Sequence, residues 1–89
     1  ERATRRAAMG GFLERVRARY RIGDRNFVKP GVAEATRVLL RRLPDLLLLR
    51  DPDAPDVEHL RLLAERKRVP AAIDPTMPIQ ATALIRDLS

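Results

Sequence analysis

The stretch PDLLLLR, residues 44–50, most constrains what this chain can fold into. Its apolar run is too short and too continuous for the stripe of a surface helix. An unbroken apolar run of that length between breakers is the pattern of a strand buried on both faces. Such a strand needs cover above and below, and the flanking sequence offers it. Residues 4–21 place Met9, Phe12, Leu13, Val16 and Tyr20 at i, i+3, i+4, i+7 and i+11, one stripe of an amphipathic helix. Arg15, Arg17, Arg19 and Arg21 fall on its polar flanks. Gly10 and Gly11 cost that helix roughly 1 kcal/mol each.

IGDRN (22–26) reads as a turn and FVK as a very short extended piece before Pro30. A second helix is expected from Val32 to Arg42, with Val32, Ala35, Val38 and Leu39 inward. In DPDAPDVEHLRLLAERKRVP, Pro55 and the acids suit a first helical turn, while Lys67 and Arg68 suit the last. Val57, Leu60, Leu62 and Leu63 are the inward set expected there. PAAID (70–74) reads as a second buried strand. PTMPIQATALIRDL reads as a final helix from about Thr76, with Ile79, Ala83, Leu84 and Leu88 inward. The alternation predicts an α/β fold, a small three-layer α/β/α sandwich around a short mixed sheet. One domain over residues 1–89 is expected, with 1–8 as a flexible basic extension.

Charge then narrows the partner. The net charge is +6, and the cations are sixteen Arg against two Lys. Arg presents a planar fork of donors suited to phosphates and stacked bases, so the bias favours a polyanion. A GC-rich genome produces the same bias without any such partner. The absence of cysteine and the single His59 remove thiolate chemistry and a multi-histidine metal site from these residues. No apolar run approaches the ~20 residues that cross a bilayer. The Arg- and Ala-rich opening ERATRRAAMG is compatible with the border of a removed organellar presequence.

The carboxylates Asp45, Asp51, Asp53, Asp56, Glu58, Glu65, Asp74 and Asp87 are scattered over helix starts and strand ends, where capping and solvation explain them. Glu58 and His59 are adjacent in a helix and diverge, so they form no relay pair. Gly31 stands alone rather than in a phosphate loop. The expectation is therefore a non-enzyme with no cofactor, no metal, no small-molecule substrate and no membrane partner. The mouth of the second helix carries the most chemistry. Its backbone N–H groups seat a phosphate, Gly31 lets a ligand approach, Glu34 accepts from a base edge and Arg37 clamps the backbone. Dipole complementation by Glu34 and a solvated Arg37 explain the same spacing equally well.

VKPGVAEATRVLLRR, the following apolar strand, DAP, HLRLLAERKRVP and AAID together resemble the ribosomal L-seven-Ae family over about Met9 to Ile85. Those kink-turn RNA-binding proteins of ribosomes, snoRNPs and RNase P share an α/β/α sandwich. Their Gly-x-Asn-Glu-x-Thr-Lys signature corresponds here to Gly31-Val32-Ala33-Glu34-Ala35-Thr36-Arg37. The resemblance implies that Glu34 reads a guanine edge and that Arg37 takes the Lys role. It implies an RNA-contacting set of Lys29, Gly31, Val32, Ala33, Glu34, Arg37, Arg41 and Met77. The family's Asn is replaced by Ala33, and the acid before the proline by Ala54. Three functions stay open. One is a structural subunit holding structured RNA, rRNA in a ribosome, organellar (mitochondrial) or otherwise cytoplasmic or nuclear. The second is a protein–protein adaptor among neighbouring RNP proteins, its own kink-turn binding lost. The third, set against the amphipathic first helix being needed as core, is a membrane-surface or other non-RNA module.

Overall fold

A computed structural model describes residues 2–85, with side chains from residue 9 onward. Along the chain run α1 (Arg2–Tyr20), β1 (Val28–Pro30), α2 (Val32–Arg41), β2 (Leu46–Leu49), α3 (Glu58–Lys67), β3 (Ala71–Ile73) and β4 (Ala81–Leu84). The four strands form one mixed sheet in the order β1-β4-β2-β3. β4 runs antiparallel to both β1 and β2, while β2 and β3 are parallel.

The leucine run behaves as its pattern requires. Leu47, Leu48 and Leu49 are all buried, and successive side chains serve opposite faces. Leu47 and Leu49 join Ala35, Val38 and Leu39 of α2 and Leu60 and Ala64 of α3. Leu48 joins Phe12, Leu13 and Val16 of α1, with Val28 and Leu84. Helices therefore cover both faces of the sheet, α1 on one side and α2 with α3 on the other. Val57, Leu60 and Ala64 form the inward stripe of the third helical segment, while Leu62 is exposed and Leu63 only half-buried.

Three local devices place the helices. α1 ends with Arg21 in the left-handed conformation and the Ile22 N–H bonded to the Arg17 carbonyl at 2.9 Å. α3 ends the same way, with left-handed Arg68 and the Val69 N–H bonded to the Ala64 carbonyl at 2.8 Å. Both are Schellman closures, and in each the following residue, Ile22 or Val69, is buried. Arg17 also reaches past the end of α1, donating to the carbonyls of Ile22 and Gly23. The third device joins helices: Lys67 of α3 donates to the Leu39 carbonyl near the end of α2.

Two elements differ from expectation. Residues 76–85 do not form a helix; Ala81–Leu84 is a strand seated between β1 and β2, buried at every position. Ala and Leu are good helix formers, but the slot between two strands outweighs that preference. The remainder of the expected helix, including Leu88, lies outside the described residues. β3 is an edge strand, with Ala71 and Ile73 exposed, rather than a strand buried on both faces. The side chains of the expected basic extension, 1–8, also lie outside the described set.

Candidate RNA interface at the mouth of α2

β1, β2 and β3 all point the same way, so Pro30, Leu49 and Ile73 end at one edge of the sheet. In open α/β sheets this carboxyl edge is where ligands gather. α2 starts there. Gly31 turns the chain from β1 into the helix with φ 101° and ψ 150°, a conformation nearly confined to glycine. Its N–H bonds to the Ala81 carbonyl at 2.8 Å, which ties the helix mouth to β4. Its carbonyl accepts the Ala35 N–H at 2.9 Å. Gly31 has no side chain with which to cap, so no side-chain bond closes the first turn of α2. The leading N–H groups keep their partial positive charge for an incoming acceptor.

Glu34, Arg37 and Arg41 follow at i, i+3 and i+7 and share one face of α2. Arg37 donates to Glu34 at 2.8 Å, with the two side chains 59% and 43% exposed. So exposed a pair contributes no more than about 1 kcal/mol. A phosphate or a base edge can therefore replace either partner at little cost. Ala33 is exposed, Val32 is half-buried, and Lys29 is half-buried on β1 facing the α2 side through its register with Ala83.

Met77 does not belong to this surface. It is 2% exposed and packs in the core under α1. Thr82, itself fully buried, directs its hydroxyl at the Met77 sulfur at 3.5 Å. An apolar side chain in a loop beside a half-open sheet edge is drawn inward to fill it. The 74–80 loop meets the end of β2 through Gln80, whose carbonyl accepts the Arg50 backbone N–H at 3.0 Å.

Two features were missed from sequence. Arg50, half-buried at the end of β2, donates to the Met77 carbonyl at 3.5 Å. Its position directly after a buried strand was the available signal. Thr36 and His59 were missed as a pair. The Thr36 hydroxyl lies 2.7 Å from the Val32 carbonyl, to which it donates, and 2.8 Å from His59 Nε2. The second contact links α2 to α3. The carboxylates of Asp24, Asp51 and Asp74 each accept the backbone N–H two residues on, shaping turns. No helix among the described residues is long and apolar enough to cross a membrane.

Residues 8–87 match the family model of the PELOTA RNA binding domain. The chain belongs to that family. This corrects the assignment to the ribosomal L-seven-Ae family: the indicated family is a different one, and the kink-turn signature was carried by Gly31, Glu34, Thr36 and the basic Arg37 without its Asn. Membership gives the PELOTA domain an RNA-binding role and RNA as its partner class. The chain is also 45% identical over 71 residues to a protein of Acinetobacter baylyi named Cysteine protease StiP. That match covers 78% of this chain and 18% of the relative's length. It overturns the expectation of a non-enzyme to this extent: 71 residues of the chain are 45% identical to part of a protein named as an enzyme. Scattered carboxylates and a lone histidine gave no sign of such a relative.

Proposed function

We propose that the PELOTA domain holds bent or looped RNA at the mouth of α2. The carrying observation is the helix start without a side-chain cap at Gly31, set beside the exposed Glu34–Arg37 pair at the carboxyl edge of three strands. A phosphate sits on the free N–H groups of the first turn, and Arg37 leaves Glu34 to clamp the neighbouring phosphate. The released Glu34 carboxylate then accepts from a base amino or imino group, which only an unpaired or distorted segment offers. Arg41 and Lys29 add charge on either side. The test is binding to a kink-turn RNA and to a matched straight duplex at two salt concentrations, with wild type and Glu34→Ala/Arg37→Ala. Preference for the bent RNA, lost in the double variant, is expected. Equal affinity for both RNAs in the wild type would sink the reading.

A second reading rests on the Acinetobacter baylyi relative: the domain is the RNA-binding part of a longer protein with cysteine protease activity. These 89 residues contain no cysteine, so they supply no thiolate nucleophile. Deleting the matched segment from the relative is expected to abolish RNA binding while peptide hydrolysis persists. Loss of hydrolysis from a deletion variant that is still folded would tie the domain to the chemistry instead.

A further inference from the structure

On the opposite side of the sheet from α2, α1 leaves the β3 end of its face uncovered. The result is a cleft of about 380 Å³, within the size range of small-ligand sites. Its apolar wall comes from Phe12 and Val16 of α1 and from Leu48 and Ala72 of the sheet. Arg15 and Arg19, one helical turn apart and both exposed, stand along its rim. Neither forms an ion pair with an acid among the described residues, whereas Arg17, on the other flank, is held by Glu14 at 3.1 Å. The Arg19 guanidinium lies over the Tyr20 ring, 5.5 Å from its centre. Asp74 is the acid at the cleft, and one of its oxygens is occupied by the N–H and hydroxyl of Thr76 at 3.0 and 2.6 Å.

We infer that this cleft binds a nucleotide: the phosphate on Arg15 and Arg19, the base against the Tyr20–Arg19 stack and the apolar wall. Two unpaired guanidiniums select an anion, and their fork geometry fits phosphate oxygens. An aromatic ring, a guanidinium plane and an apolar floor are what an unstacked base lies on. The same chemistry is offered by a free mononucleotide and by an unpaired nucleotide of an RNA strand. In the second case the inference rests on the RNA-binding reading, and the strand reaches the cleft over the carboxyl edge of the sheet, where Asp74 follows β3.

The experiment follows the amide and tyrosine ring signals of the whole chain by NMR while UMP or AMP is added. Tyr20 is the single tyrosine, so its ring signals report the cleft without ambiguity. In parallel, a looped RNA is titrated with and without a single-stranded tail. Three variants accompany wild type: Arg15→Ser/Arg19→Ser, the charge-matched Arg61→Ser/Arg66→Ser on α3, and Glu34→Ala/Arg37→Ala. Shifts at Tyr20 and Ala72 on adding mononucleotide, lost in Arg15→Ser/Arg19→Ser alone, establish a nucleotide site. A tail that tightens RNA binding about tenfold, an advantage lost only in that variant, places an RNA nucleotide there. Mononucleotide shifts that persist in Glu34→Ala/Arg37→Ala, after RNA binding has gone, separate this site from the α2 mouth. Equal losses in the Arg61→Ser/Arg66→Ser control, or no shift at Tyr20 with either ligand, overturn the inference.

Discussion

Single residues in this fold carry backbone costs that the contacts around them outweigh. Arg21 and Arg68 occupy the left-handed position that ends α1 and α3, with φ 57° and 59°. The position favours glycine, because an L side chain there costs roughly 1–2 kcal/mol. Both helices still close, since the next residue drops into the core. Val69 is 6% exposed and Ile22 3% exposed. Arg68→Gly removes the clash and in exchange frees the unfolded chain, so a net stabilisation of about 0.5–1 kcal/mol is expected. A urea titration reads it as a higher midpoint at unchanged slope. A midpoint that falls would mean the Arg68 side chain contributes more than its backbone costs. Neither arginine announced itself in the sequence, where a stop signal is usually a glycine.

At the scale of elements, the junction of β1 and α2 shows why some of the fold was legible and some was not. KPGVAEATRVLL was readable because its logic is local: proline ends the strand, glycine makes the turn, and the apolar spacing runs on for a helix. The same holds for the leucine strand. ATAL was not readable, because what makes it a strand is β1 and β2, both remote in sequence. The α2 mouth of the candidate site was visible on the same local grounds, whereas the Gln80 contact and the α1 cleft arise only when distant segments meet. Gly31 is the testable hinge of this junction. A Cβ there would meet nothing within 4 Å, so the whole penalty of Gly31→Ala comes from its positive φ. Unfolding measurements are expected to show a loss of about 1–3 kcal/mol. RNA affinity is expected to fall as well, since relaxing φ swings the first turn of α2 away from Ala81. A variant with unchanged stability would mean the turn reaches a different backbone conformation at no cost.

The whole molecule is a thin plate, with extents of 36 × 35 × 19 Å, and carries its candidate cations on both faces. Lys29, Arg37 and Arg41 lie with α2, while Arg15 and Arg19 lie with α1 beyond the sheet. A rigid duplex laid on one face reaches the first set and not the second. A strand that folds over the carboxyl edge of the sheet reaches both. Salt dependence separates these geometries, because each neutralised phosphate lowers the slope of log K against log salt by about 0.9 for duplex and 0.7 for single strands. A short looped RNA held only at α2 meets three cations, and its slope is expected to lie between about −2 and −3. Adding a single-stranded tail that reaches the cleft is expected to steepen the slope by about 0.7, for the one further phosphate held by Arg15 and Arg19. Arg15→Ser/Arg19→Ser should return the tailed RNA to the shallower slope and leave the untailed RNA where it was. If tailed, untailed and duplex RNA all shared one steep slope, binding would be to the net charge of +6 as a whole. The positions of Glu34 and Arg37 would then matter no more than those of any other charged side chain.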